Sequence, residues 1–547
     1  MRKANPRLPI ALLSCLLTSP LLAQSSDASG GGNLFALALM VVVVLIAFVV
    51  IVQVADNLLR IEARRIGADK EGVNYSVFPS IREILSPKIP DYVNGYPAFV
   101  LDKGYNLPLE GEPAPRISSA RGVKRYAVQP PNFLGIAPIP KLEVQIGDSV
   151  KAGDPLFFDK NAPDIKYVAP VSGEVIAVNR GEKRAITEVV ILADKEQTHR
   201  SLTPPDAEKA SREEIVRFLM DSGGWMLIKQ RPFNVVAEPD EVPTHIFIST
   251  FDTGPLAPDL NLVVKGREKA FQQGLDILAR LTDGKVHLGL SANGEEPPAS
   301  AFVDARNVEK HYFKGPHPAG NVGVQIHHVA PITPTQKVWT LGVQEVITLG
   351  NLWLEKRFDA ERIVALTGSR MKEPRYVKTF IGANMGELLN NEVEGDKVRL
   401  ISGDVLSGEK KDPENFLNFY DDQVTAIPEG DYYELFGWLL PSKARPSLSR
   451  TYPNFLFGDL KFEGDTNTHG ERRAFVMTGQ YERVLPMDIY LQHLMKAIMI
   501  NDFERMEGLG IYELVEEDVA LAEFACTSKQ PLQRILRKGL DTMREQG

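Results

Sequence analysis

At 547 residues the chain is too long for one hydrophobic core, and 44% apolar with 24% charged residues is the composition of several globular domains. A formal net charge of −9 argues against nucleic acid as a partner, because a phosphate-binding face needs clustered Lys and Arg. The two cysteines, Cys15 and Cys526, are too few for a typical iron–sulfur cluster, a Cys-rich zinc site or a disulfide scaffold.

The first stretches in chain order concern the membrane. Residues 1–24 read as a signal-peptide-like segment: Arg2, Lys3 and Arg7 precede a short apolar run that ends in Leu-Leu-Ala-Gln. Residues 34–52 hold no charged or amide side chain. Extended to 55, the run has the ~20 residues that cross a ~30 Å hydrocarbon core, so a transmembrane helix is expected over 34–55. Arg60, Arg64, Arg65 and Lys70 follow the run, whereas residues 24–33 contain no Lys or Arg. The positive-inside rule therefore places the C-terminal side in the cytoplasm, with one pass, or two spans if the first segment is uncleaved. The run has no Asp or Glu to meet a cation, so it reads as an anchor in membrane lipid and not as an ion path. Residues 56–124 read as a linker or extension.

Residues 125–204 alternate short apolar strands with Gly147-Asp148 and Gly153-Asp154 turns, the pattern of a small β barrel or sandwich. V-x-x-G-D-x-V-x-x-G-D-P-L followed by A-P-V-S-G-E-V resembles the biotinyl/lipoyl-type barrel-sandwich hybrid. Lys160 stands where such domains carry a prosthetic group. Against attachment, the stretch from Lys160 to Pro170 is longer than a tight hairpin, and Pro163 is expected to interrupt the strand. A structural role is expected, with no covalently bound cofactor.

Residues 205–375 change period. Ser211-x-x-Glu214 is a capping box ahead of Ile215, Val216 and Leu219 on one helix face. Strand-like 245–250, helix-like 267–282, strand-like 286–290, helix-like 341–356 and strand-like 362–367 then alternate. This is the pattern of a layered α/β domain with a largely parallel sheet. Ser222-Gly223-Gly224 is followed by bulky Trp225, Met226, Leu227 and Ile228, which do not make a phosphate cradle, and no G-x-G-x-x-G occurs elsewhere. Residues 376–441 form a β-rich module. Residues 442–547 form a helical region in which Pro486 opens a helix over 489–506 and Cys526 is a packed residue.

Several motifs together resemble one family. Residues 169–184 begin the likeness. Ile246-Phe247-Ile248-Ser249-Thr250-Phe251-Asp252-Thr253-Gly254-Pro255, Gly315-Pro316-His317-Pro318-Ala319-Gly320, Val338-Trp339-Thr340, residues 362–368 and residues 399–408 carry it further. Over roughly 125–547 the chain is similar to the NqrA family, the NqrA subunits of the bacterial Na+-translocating NADH:quinone reductase. The first hundred residues lie outside that pattern.

The resemblance implies a Rossmann-like α/β domain related to the flavin-bearing subunit of respiratory complex I and a β-grasp-like module. It implies a structural, quinone-interacting subunit of a Na+-exporting NADH:quinone reductase in the bacterial inner membrane, with the soluble body in the cytoplasm and no redox centre of its own. The isolated chain is expected not to be catalytic. NADH, FAD, FMN and iron–sulfur chemistry would sit on partner subunits, with ubiquinone or menaquinone as the implied ligand and no metal on this chain. Asp252, Gly315, Pro316, His317, Pro318 and Gly320 are the implied quinone or interaction residues. The plainer reading is that Asp252 caps a turn and His317, between two prolines, shapes a loop. Two other functions fit parts of the pattern: a membrane-fusion adaptor with a lipoyl-like domain, and an independent NADH-oxidising flavoprotein.

Overall fold

In the computed structural model, which describes residues 31–65 and 89–546 apart from 438, 440–442, 449–459 and 476–478, the apolar run lies in one helix. That helix, Gly31–Arg65, is 35 residues long, and its described large apolar side chains from Leu37 to Leu58 are exposed except Val52, which is half-buried. Among the described residues no helix is long and apolar enough to cross a membrane. The helix is found; the crossing is not established. The signal-peptide-like segment 1–24 lies outside the described residues.

Residues from Ile89 onward form a separate unit. Its first module is the expected two-sheet sandwich. A four-stranded sheet runs Arg125–Val128, Ile186–Ala193, Gly173–Arg180, Ser149–Val150, and a three-stranded sheet runs Lys141–Leu142, Pro155–Asp159, Ala162–Val168. The residues Leu156, Phe157, Tyr167, Val175, Val189 and Ile191 are buried between them. Gly147 and Gly153 take φ of +94° and +91°, a region open to glycine without steric cost. The Asp after each accepts a backbone N–H, from Gln145 at 2.7 Å and from Lys151 at 2.8 Å. The hairpin at Lys160 is tighter than expected. Asp159 pairs with Ala162 across a turn of Lys160 and Asn161, and Pro163 lies within the strand. That strand is at the sheet edge, where a missing N–H is tolerated.

The central sheet has seven strands in the order Ala98–Val100, Glu309–Lys314, Lys285–Ser291, His245–Ser249, Val338–Thr340, Lys229–Arg231, Val235–Val236. The first five are parallel and the last two form an antiparallel hairpin at the edge. The helices Glu268–Leu278 and Val343–Leu354 bury Phe271, Leu275, Leu278 and Val346 in the core shared with Ile246, Ile248, Leu288 and Leu290. A six-stranded sheet follows, ordered Glu409–Lys411, Val398–Ser402, Gln423–Pro428, Glu361–Thr367, Arg375–Phe380, Ala114–Ser119.

Two boundaries need correction. The stretch 56–124 is not all linker: Ala98–Val100 pairs with Glu309–Lys314, Phe99 stacks on Phe313 at 5.1 Å, and Ala114–Ser119 completes the six-stranded sheet. Strands of three residues, or with nearly all side chains exposed, carry no readable alternation. The strand Glu361–Thr367 belongs to the six-stranded sheet and not to the α/β sheet, so the α/β module ends before 361. An apolar run announces a strand without announcing which sheet it joins.

The C-terminal region packs Tyr481–Val484, Leu491–Met499, Phe503–Gly508, Glu516–Ala525 and Leu532–Gln546 around a core of Leu494, Ile498, Met506, Leu521, Leu536 and Leu540. The single helix expected over 489–506 is two. Asn501 takes φ +54°, and Asp502 caps the second helix by accepting the Arg505 N–H at 3.2 Å. Pro486 lies ahead of the helices and not in a first turn; its carbonyl accepts from His328 Nε2 at 2.8 Å. Cys526 is buried against the Tyr481 hydroxyl at 2.8 Å, a packed thiol as expected.

Candidate functional site

In an open parallel sheet, loops leaving the carboxyl ends of the strands are free of the ladder and surround a crevice. Here that crevice is a cleft of about 640 Å³. The His245–Ser249 strand delivers Phe251, Asp252 and Gly254 to it, and the Glu309–Lys314 strand delivers His317, Gly320 and Asn321. The loop after Val338–Thr340 leads to Glu345. The six-stranded sheet adds Asp404, Glu409, Tyr420, Asp421 and Asp422, and the C-terminal helices add Glu516, Glu517 and Gln533.

Of the six residues singled out by sequence, the cleft brings together Asp252, His317 and Gly320. Gly315 lies in the turn behind it, bonded through its N–H and carbonyl to Asn293 at 2.9 Å each. Pro316 and Pro318 flank His317 in the same turn and do not line the cleft. Asp252 does close a turn: its Oδ1 accepts the Gly254 N–H at 2.7 Å. His317 donates its backbone N–H to Asn106 at 2.7 Å, and its Nδ1 lies 3.2 Å from the Thr253 hydroxyl. Thr253 Oγ1 in turn accepts the Gly320 N–H at 2.9 Å. His317 Nε2 is buried and finds no hydrogen-bond partner among the described residues. Gly320 is required by proximity: a Cβ there would stand 2.7 Å from the Thr253 nitrogen and 3.0 Å from Asp252 Cα.

The electrostatics favour neutral forms. Burial, reinforced by Asp404, raises the Asp252 carboxyl above its ordinary range, against the Gly254 N–H and His317. Burial likewise lowers the His317 imidazole. Deeper in the wall, Arg362 is buried with Glu345 at 2.6 Å and Asp422 at 3.2 Å. One guanidinium faces two carboxylates, and burial pushes Asp422 up to about 7. A second cation, Arg231, meets Asp518 at 3.1 Å and Glu517 at 2.8 Å. Burial and the neighbouring Asp518 raise Glu517, though 45% of its side chain is open to solvent and water tempers the effect. Lys229 lies over the Tyr420 ring at 3.8 Å from its centroid.

These groups decide what the cleft suits. Its carboxylates outnumber Lys229 and Arg231, an unfavourable field for a dinucleotide's phosphates. The loop with Gly223 and Gly224 does not fit FMN either. Gly223 is the C-cap of the helix Arg212–Ser222 at φ +81°, and Trp225, Met226 and Leu227 behind it are buried. A phosphate cradle sits at a helix N-terminus, where N–H groups are free. The ionic groups Arg231, Glu345, Arg362 and Asp518 were not singled out by sequence. Their signal is a charge inside an apolar run, as in Arg362 opening Arg-Ile-Val-Ala-Leu-Thr.

Comparison with known proteins places this architecture. Residues 99–194 match the NqrA N-terminal barrel-sandwich hybrid domain, 210–358 the NqrA second alpha/beta domain, and 363–412 the NQRA C-terminal domain. The corresponding subunit of the Na(+)-translocating NADH-quinone reductase of Alcanivorax borkumensis is 38% identical over 449 residues, covering 81% of this chain and 99% of that protein. Those of Vibrio atlanticus and Shewanella frigidimarina are 38% and 39% identical, each covering 82% of this chain and 99% of their own length. Matched at that identity over nearly the whole length of its relatives, the chain belongs to the NqrA family.

Proposed function

We propose that the chain is the NqrA component of a Na+-translocating NADH:quinone reductase, working beside the other subunits and carrying no redox centre of its own. The observation that carries this is the identity across 99% of the length of relatives so named. Within the assembly its part is structural and quinone-interacting, while hydride and electron carriers belong to partner subunits. The α/β and six-stranded sheets are read as the Rossmann-like and β-grasp-like modules. Affinity purification from gently solubilised membranes is expected to recover flavin-bearing and multi-span partners with Na+-dependent NADH:quinone reductase activity. Recovery of the chain alone would sink the proposal.

The cleft is the place where a quinone would meet this protein. His317 presents there a buried Nε2 with no hydrogen-bond partner among the described residues, which in its Nε2–H tautomer donates the bond a quinone carbonyl accepts, and the raised Asp252 carboxyl lies in the same wall. Quinone titrations followed by tryptophan fluorescence are expected to saturate with the parent and weaken about tenfold in His317→Phe, which lacks the donor. Equal affinity in both would remove the cleft from consideration.

The tether belongs to the same reading. The helix Gly31–Arg65 exposes apolar side chains from Leu37 to Leu58, and the basic flank after the apolar run favours a cytoplasmic body in the inner membrane. A C-terminal reporter active only in the periplasm would reverse that orientation.

A further inference from the structure

Away from the cleft, toward the amino-terminal ends of the same parallel strands, the central sheet gathers three histidines and a glutamate. Glu309 and His311 are two residues apart on one strand, so both project from one face. His287 comes from the adjacent strand, in register with Glu309, and His245 from the strand beyond. His287 Nδ1 lies 2.9 Å from His311 Nε2 and 3.7 Å from Glu309 Oε2. One ligand atom from each of His287, Glu309 and His311 falls within 4.8 Å of the others.

We infer that His287, His311 and Glu309 form a binding site for a divalent cation of the zinc class, with His245 holding His287 in the ligating tautomer. Two imidazoles and a carboxylate are a donor set that suits Zn2+, with three protein ligands and a fourth position left for water. Mg2+ and Ca2+, which prefer all-oxygen sites, are disfavoured. His287 Nε2 lies 3.0 Å from His245 Nδ1. A proton held in that contact leaves the Nδ1 lone pair facing the cation, the arrangement by which a neighbour fixes a metal-binding imidazole. Phe247 stacks on the His287 ring at 4.4 Å and 18°, fixing its plane. His287 and His311 are 4% and 8% exposed, whereas the Glu309 side chain keeps 48% of its surface open and gives a hydrated cation its way in.

The bland alternative is a chain of imidazoles that only ties three strands together. It fits the distances His245–His287–His311 but gives no part to Glu309, whose other oxygen faces exposed Lys285 at 3.7 Å, a weak contact.

The test uses the full chain with a tag free of histidine, stripped by chelator and titrated with Zn2+ and Co2+. One equivalent of Zn2+ is expected per chain, with Co2+ giving visible d–d bands that Zn2+ displaces. Glu309→Gln, at an exposed position, is expected to weaken binding by about tenfold or more, and His311→Gln to abolish it. Zn2+ is also expected to raise the unfolding temperature of the parent by more than that of Glu309→Gln at the same concentration, since a ligand stabilises the state it binds in proportion to its affinity. No saturable binding to the parent, or unchanged affinity in Glu309→Gln, overturns the site. Should His311→Gln fail to fold, Glu309→Gln alone decides.

Discussion

Arg362 and its two carboxylates make the strongest residue-scale statement. Glu345 is the nearer partner, so Asp422 carries the excess negative charge in a buried place and is pushed up to about 7 from an ordinary 3.8. An acid whose folded pKa is raised binds more protons folded than unfolded. Its contribution is therefore fully present at acid pH and is lost as pH rises through about 7. Asp422→Asn removes the titration. The variant is expected to lose less stability than the parent as pH rises from about 5 to 8 and to exceed it at the upper end by on the order of 1 kcal/mol, read from urea unfolding. A parent and variant with the same pH dependence would show that Asp422 does not hold the proton. Arg231 gives the complementary case. Its side chain is 2% exposed and Asp518 is 0% exposed, so Arg231→Ala strands a buried carboxylate and is expected to cost about 3 kcal/mol. Glu373→Ala breaks a pair whose side chains are 64% and 69% exposed and is expected to move stability by less than about 0.5 kcal/mol. These pairs were not legible in the sequence, because a charge inside an apolar run says that a partner exists without naming it. Asp252 and His317 were legible as candidates; their convergence needed the fold.

At the scale of elements, capping was the most readable feature. Ser211 accepts the Glu214 N–H at 3.2 Å while Glu214 accepts the Ser211 N–H at 2.8 Å, the reciprocal pair expected from Ser-x-x-Glu. Ser211→Ala is expected to destabilise by about 1 kcal/mol, and Ser211→Asp, which keeps an acceptor, by much less. Equal losses would deny the cap its role. Period-based reading also placed the strands His245–Ser249 and Lys285–Ser291 and the helix Val343–Leu354. It failed where the decisive term is tertiary. The turn at Asn501 splits a continuous apolar helical pattern, and the Lys160 hairpin closes because Asp159 and Ala162 pair. Three histidines on successive strands were each visible alone. They form a constellation only once parallel register sets them side by side.

For the whole molecule, the chain divides into a helix-bearing unit, 1–88, and a body, 89–547. The sandwich, both larger sheets and the C-terminal helices lie in the second unit, with buried cores of their own. Folding of the body should therefore not need the first unit, and removal of 1–88 is expected to leave its unfolding transition within a degree or so of the parent's. What a tether changes is concentration. With the first unit acting as the proposed membrane anchor, the body would meet its partners at an effective concentration set by the length of the connecting chain and not by cellular dilution. The deletion is thus expected to shift the chain from the membrane to the soluble fraction and to lower assembly at native expression, with overexpression restoring it by mass action. Unchanged assembly at native expression would mean that contacts among the subunits suffice. A body that no longer melts cooperatively would mean that the two units fold as one.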